Sequence, residues 1–144
     1  MSTSGGSSGG GGSLTSVESY IGADVSLFAG TIVNITSVSL ATGTWLIQAR
    51  VYGYGLNTTA GSLEAWIGPT SASTTGAYAS GGMFIGSAAS GVQAGEVAIT
   101  KVVTLAVTTT VYLIGKCNQA ITAKATTDLY ALPNCTGITA VKIG

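Results

Sequence analysis

The chain has 144 residues, of which 7% are charged, and its five basic and five acidic side chains give a net charge of zero. Nucleic-acid binding is excluded because a binder needs a basic surface to neutralise phosphates. The absence of histidine excludes a Ser-His-Asp triad and a histidine-containing zinc site. So few charges favour a subunit of an assembly over a free monomer. The alternative is a threonine- and serine-rich β-protein without a particular oligomeric state.

Residues 1–16 are rich in glycine and serine and predict an N-terminal arm ahead of one β-sandwich domain at 17–144. Ordering such an arm costs about 1–2 kcal/mol per residue, so it becomes ordered only when another surface holds it. We therefore expect the arm to lie along a partner. Its candidate contact residues are Ser4, Gly5, Gly10, Ser13 and Leu14. No signal peptide and no run of about 18 apolar residues is evident, so we expect synthesis in a cytoplasm and no membrane partner.

Beyond residue 17 the pattern is that of β-strands, because β-branched residues dominate and apolar and polar positions alternate. The strands predicted in chain order lie within 20–38, 45–54, 63–67, 83–85, 96–107, 111–117, 120–130 and 138–143. Residues 68–82 predict a loop because glycine, serine and threonine are frequent there. About seven or eight short strands without helical periodicity indicate an all-β, antiparallel, jelly-roll-like β-sandwich.

Three segments together resemble the C-terminal jelly-roll domains of tailed-phage virion proteins. They are VNITSVSL with GTWLIQARV at 33–51, TTTVYLI at 108–114, and ITAVKIG at 138–144. Such domains occur in head fibres, capsid decoration proteins and tail-fibre tips, and they are similar to the trimeric C1q/TNF-like jelly roll. The resemblance implies a homotrimer, with the last segment as a strand at the subunit interface. The residues expected in the core or at the trimer interface are Trp45, Ile47, Tyr52, Leu105, Tyr112, Val141 and Ile143.

The resemblance also implies a function. We expect a non-enzymatic capsid decoration protein, of the cement or head-fibre type, that binds the exterior of the virion and stabilises the shell. It would be made in the host cytoplasm, and its partners would be its own copies and the major capsid protein or another virion protein. The alternative is a tail-fibre tip that holds a host-surface glycan with loops 55–62 and 68–82. A C1q/TNF-like ligand is a third interpretation.

Few residues are candidates for chemistry, and we expect no catalytic residue, cofactor or metal. Cys117 and Cys135, about 18 residues apart, either form a disulfide or lie as two buried thiols. Arg50 is predicted on the strand face that also carries Tyr52, where it would pair with Glu64 or Glu96 of the same or a neighbouring subunit. The aromatic residues either form a sugar-binding platform or fill the core and a subunit interface. This aromatic set comprises Tyr52, Tyr54, Trp66, Tyr78, Phe84 and Tyr130.

Overall fold

The structure, a computed structural model, describes residues 2–3, 14–55, 61–85, 93–127 and 131–144. The described residues form strands and turns and no helix, which confirms the all-β prediction. The strands are β1 (Ser2–Thr3), β2 (Thr15–Tyr20), β3 (Val25–Leu27), β4 (Val33–Leu40), β5 (Gly43–Gly55), β6 (Gly61–Gly68), β7 (Ala79–Ile85), β8 (Gln93–Leu105), β9 (Thr109–Cys117), β10 (Ile121–Ala123) and β11 (Gly137–Lys142).

Two antiparallel sheets pack against each other as a sandwich. Apart from the short strands β1, β3 and β10, sheet A has the order β2–β11–β5–β8 and sheet B has the order β4–β9–β6–β7. Among the eight longer strands, the antiparallel pairs are β2 with β11, β4 with β9, β5 with β8, and β6 with β7. The first of these strands along the chain therefore pairs with the last, and the pairing continues inward to the two middle strands. This order is that of a long hairpin rolled up into two Greek keys, which is a jelly roll.

Strand β5 supplies the centre of the core through alternate residues. Trp45, Ile47, Ala49 and Val51 are fully buried, whereas Gln48 and Arg50 between them are exposed. The indole Nε1 of Trp45 donates a hydrogen bond of 2.9 Å to the carbonyl oxygen of Ala41, so the buried ring leaves no polar atom unpaired. Trp45 and Ile47, two of the residues expected in the core or at the trimer interface, thus lie in the core.

Strand β8 pairs with β5 along the whole of both strands, from Gly43 opposite Leu105 to Gly55 opposite Gln93. Among the described residues β8 has no second ladder partner, so it forms an edge of sheet A. Lys101 is exposed although its register position lies on the core-facing side, between Ile99 and Val103. A charge in this position opposes edge-to-edge pairing with another chain.

Thr136 closes a gap in sheet A where β5 changes its partner. Strand β11 pairs with β5 as far as Arg50, and β10 pairs with it from Gly53. Between these two ladders, the Tyr52 N–H donates to the Thr136 Oγ1 at 2.9 Å. The Tyr52 carbonyl oxygen accepts from the Lys124 N–H at 2.9 Å. Thr136 is fully buried, so its hydroxyl replaces a missing backbone acceptor in the middle of the sheet.

Three expectations about strand bounds were wrong. The strand predicted within 20–38 is divided into β3 and β4, and β2 was not predicted. Strand β7 begins at Ala79, inside the predicted loop, although Gly81 and Gly82 are poor strand formers. A Cβ at Gly81 would lie 3.1 Å from Val97 Cγ1, so glycine lets β7 approach β8 across the edge of the sandwich. In the predicted strand 120–130, only Ile121–Ala123 forms a strand among the described residues, and 128–130 lie outside them.

The segment that follows β10 is fastened by one ion pair. Asp24 Oδ2 accepts from Lys124 Nζ at 2.8 Å, and Asp24 Oδ1 accepts from the Ala125 N–H at 2.9 Å. Lys124 Nζ also lies 5.2 Å from the ring centroid of Tyr54. The hydrogen bond from Lys124, and next the one from Ala125, hold the pKa of Asp24 below its ordinary value of 3.8. The ionised carboxylate is thus the form that the folded chain favours.

We predict that Thr136→Val lowers the free energy of unfolding by about 1–3 kcal/mol, because it leaves the Tyr52 N–H buried without an acceptor. Thr136→Ser keeps the hydroxyl and should cost about 0.8 kcal/mol for the lost methyl group. Urea unfolding measures the free energies. Hydrogen exchange of the Tyr52 amide should accelerate in the valine variant and not in the serine variant. Equal Tyr52 exchange in wild type and Thr136→Val would contradict this role.

We predict that Asp24→Asn destabilises the fold in a pH-dependent way. Because the folded-state pKa is lowered, the stabilisation is present above pH 3.8 and is lost as the pH falls through the folded pKa. The effect should be about 1 kcal/mol or less, because the Asp24 side chain is 40% exposed. Urea unfolding of both proteins between pH 2 and pH 7 measures the difference. A difference that does not shrink at low pH would contradict the prediction.

Candidate interaction surfaces

The outer face of sheet A carries an apolar row across three neighbouring strands, β11, β5 and β8. Leu46 on β5 lies opposite Val141 on β11 and opposite Val102 on β8. Val102 is 51% exposed, and Ile143 is exposed just beyond the end of β11. We call Val141, Leu46 and Val102 the sheet A row. Three aliphatic side chains in one line on an outer sheet face are the kind of surface that a partner covers.

A depression lies next to the sheet A row, where Gly137 has no side chain. It has a volume of about 270 Å³ and is bordered by Tyr20, Gln48, Arg50, Thr100 and Thr139. A Cβ at Gly137 would clash with the carbonyl oxygen of Ser19 and would lie 2.6 Å from Tyr20 Cδ1, so any larger residue would displace the backbone of β2 as well as the Tyr20 ring. The depression is polar and holds a single cationic side chain.

Arg50 forms no ion pair with Glu64 or Glu96 of its own chain, which were its expected partners. Its Nη2 donates a hydrogen bond of 2.7 Å to the carbonyl oxygen of Asn134. Glu96 lies opposite Tyr52 on the same face, and Glu64 belongs to sheet B, opposite Lys116. The one ion pair in the described part of the chain is that between Lys124 and Asp24. Pairing of Arg50 with a glutamate of a neighbouring subunit stays a prediction.

The residues expected in the core or at a trimer interface fall into three groups. Trp45, Ile47 and Leu105 are buried in the core. Tyr52 and Val141 are half-buried on the outer face of sheet A, and Ile143 is exposed near Val141. Tyr112 is half-buried on the outer face of sheet B, opposite Ser37. Val141 and Ile143 lie at one end of this outer face, whereas Tyr52 lies six residues along β5 from Leu46, the partner of Val141, which is a distance of about 20 Å.

Of the N-terminal arm, the structure describes only the two ends, residues 2–3 and 14–16. Ser2 and Thr3 pair with Ser16 and Thr15, so the start of the chain adds a short strand to the edge of sheet A. Leu14 is exposed immediately before β2. The other candidate contact residues of the arm, Ser4, Gly5, Gly10 and Ser13, lie outside the described residues. Strand β2 begins at Thr15, within the stretch assigned to the arm.

The loop after β6 covers part of the outer face of sheet B. Asn34 Nδ2 donates to Ser71 Oγ at 2.7 Å, and Asn34 Oδ1 accepts from the Ala72 N–H at 2.7 Å. Ile114, which pairs with Asn34 on this outer face, is completely buried. The two hydrogen bonds of Asn34 thus fix the loop against the outer face of sheet B, and this part of the face is not accessible to solvent.

The uncovered end of sheet B carries an exposed aromatic ring beside charged residues. Phe84 on β7 is 88% exposed and lies opposite Ser62 on β6. Glu64, two residues further on, lies opposite Lys116 on β9. Sequence reasoning listed Phe84 among the aromatics and named Glu64 as a partner for Arg50. It did not place Glu64 opposite Lys116, because only the pairing of β6 with β9 brings these two residues together. Of the other aromatics, Tyr52, Tyr54, Trp66 and Tyr78 are half-buried, and Tyr130 lies outside the described residues.

The two cysteines are free and buried, which is the second of the two alternatives. Cys117 ends β9 in sheet B, opposite Leu63, whereas Cys135 precedes β11 of sheet A and its Sγ donates to the Lys124 carbonyl oxygen at 3.1 Å. They thus belong to different sheets. Burial raises the pKa of both thiols, so the thiolate, which is the reactive form, is disfavoured.

The chain matches no protein-family model, and no curated protein matches it. In the described residues, no three histidine, cysteine, aspartate or glutamate side chains group together as metal ligands would. Among the same residues, no helix has the length and apolar character needed to cross a membrane. The interaction surfaces are therefore the features on which a function can be argued.

We predict that the native protein contains two thiols per chain that react slowly with Ellman's reagent because they are buried and protonated. Unfolding in guanidinium chloride without a reductant should make both react at once. Intact mass with and without alkylation gives an independent count. An unfolded chain in which neither cysteine reacts would contradict the free thiols and would indicate a disulfide.

Proposed function

We propose that this protein is a non-enzymatic capsid decoration protein of a tailed phage, which attaches to the exterior of the shell as a homotrimer. The observation that carries the proposal is the sheet A row, an apolar line on the outer face of a jelly roll that has almost no charge. The resemblance of segments 33–51, 108–114 and 138–144 to virion jelly rolls supports the phage assignment. The protein would be made in the host cytoplasm and end on the virion.

Self-association through the outer face of sheet A fits its chemistry. The centre of an interface is depleted of charged side chains, and Leu46, Val102 and Val141 meet that condition. Closed rotational symmetry is the usual arrangement of identical subunits, and it would bury the same row in every copy. With only 7% charged residues, the chain has little charge repulsion to keep its copies apart.

Shell stabilisation would follow from binding linkage. A protein that binds the assembled shell and not its free subunits lowers the free energy of the assembled state by mass action. Three linked copies would strengthen attachment further, because each bound copy raises the effective concentration of the other two. The N-terminal arm, at one edge of sheet A, would extend the contact along the shell, with the major capsid protein or another virion protein as the partner.

We predict that Val102→Asp weakens trimer formation at least tenfold, which corresponds to about 1.4 kcal/mol, because the charge would be buried between subunits. Val107→Asp is the matched control, since Val107 is 66% exposed, against 51% for Val102, and lies in the turn after β8, outside the sheet A row. Sedimentation velocity over a concentration series measures the association. We expect a trimer for the wild type and for Val107→Asp.

The same proteins test the attachment to shells. Added to empty phage shells, the wild type and Val107→Asp should raise the temperature at which the shells fall apart, and Val102→Asp should raise it less. A wild-type protein that is monomeric at micromolar concentration would contradict the trimer. A trimer that leaves the melting of every tested shell unchanged would contradict the decoration function.

A further inference from the structure

We propose that the uncovered end of the outer face of sheet B binds a neutral saccharide, in a groove between Phe84 and Lys116. Nothing in this inference depends on trimer formation through sheet A, because the groove lies on the opposite side of the sandwich. It adds a ligand-binding activity to the proposed decoration function.

The groove crosses three neighbouring strands. One row across them consists of Phe84 on β7, Ser62 on β6 and Asn118 just after β9. The next row consists of Gly82, Glu64 and Lys116. Two adjoining depressions, of about 200 Å³ and about 500 Å³, share Ser62 and Glu64 as lining residues. Gly82 has no side chain, so space opens directly beside the Phe84 ring.

Phe84 has the properties of a stacking platform. At 88% it is the most exposed large hydrophobic residue in the described part of the chain. The face of an aromatic ring carries partial negative charge. The C–H groups on one side of a pyranose ring are weakly positive, so a sugar packs flat against such a face. The smooth wall that Gly82 provides leaves room for this arrangement.

The polar groups opposite the ring match sugar hydroxyls. Glu64 and Lys116 lie opposite each other on one face, yet neither side chain makes a hydrogen bond or ion pair with another described residue. A carboxylate accepts hydrogen bonds and an ammonium group donates them, whereas each sugar hydroxyl does both. Two neighbouring hydroxyls can therefore bridge this pair. Because the two charges cancel, the groove favours a neutral ligand over an anion or a cation.

Asn118 and Ser62 provide further contacts that are already fixed in place. Asn118 Oδ1 accepts from the Ser62 N–H at 2.7 Å, and the Asn118 N–H donates to the Ser62 carbonyl oxygen at 3.3 Å. These bonds orient the Asn118 amide and leave its NH₂ group without a partner among the described residues. Binding would not have to order this side chain, which lowers the entropic cost. Ala29 and Gly30 form the low wall at the far end.

The test uses the full-length protein on a printed array of neutral oligosaccharides built from glucose, galactose, mannose and N-acetylglucosamine, with sialylated oligosaccharides as the acidic comparison. Titration calorimetry then gives the affinity for the strongest neutral binder. We expect binding to at least one neutral oligosaccharide, and at least tenfold weaker binding by Phe84→Ala and by Glu64→Gln. Phe28→Ala is the matched control, because Phe28 is 61% exposed and lines a separate depression with Tyr54.

Three results would overturn the inference. They are no binding to any neutral oligosaccharide, binding to acidic oligosaccharides alone, and an equal loss of binding in Phe84→Ala and Phe28→Ala. Sedimentation velocity and shell binding separate this inference from the proposed function. Phe84→Ala should leave both unchanged, because its side chain is outside the sheet A row. A Phe84→Ala protein that no longer binds shells would make the ring a protein contact and would also count against the saccharide.

Discussion

The thirteen-residue ladder between β5 and β8 is the constraint on which the rest of the structure depends. Alternate residues of a strand point to opposite faces, so one register decides both the core and the outer face. It places Trp45 and Ile47 inside and, on the other side, Leu46 and Arg50. A slip by one residue would exchange the two sets, which would expose the indole of Trp45 and bury a guanidinium. The core and the proposed subunit interface thus come from the same strand.

The other edge of β5 shows that alternating apolar and polar residues are not sufficient to form this jelly roll. Two strands share that edge, β11 over Trp45–Arg50 and β10 at Gly53 and Tyr54, and the join between them would leave a buried N–H unpaired. The buried hydroxyl of Thr136 closes the join. The ion pair between Asp24 and Lys124 secures the segment next to it. The two outer faces could then serve different functions, since the proposed association through sheet A would leave the end of sheet B open.

The sequence allowed more of the fold to be predicted than of the interaction surfaces. The strict alternation of β5 identifies its buried face, and the absence of helical periodicity identifies the all-β class. The first residues of strand β7 were assigned to a loop because Gly81 and Gly82 are typical of loops, and their role is visible only when β8 lies against them. Glu64 and Lys116 are far apart in sequence, so no local pattern pairs them. Leu105 and Tyr112 look alike as apolar positions in strands, yet one lies in the core and the other on an outer face.

Native mass spectrometry of the purified full-length protein, with and without empty phage shells, tests the central claim most directly. We expect a homotrimer in the absence of shells and a fixed number of trimers on each shell when shells are present. A protein that stays monomeric, or a trimer that never adds mass to a shell, would contradict the account.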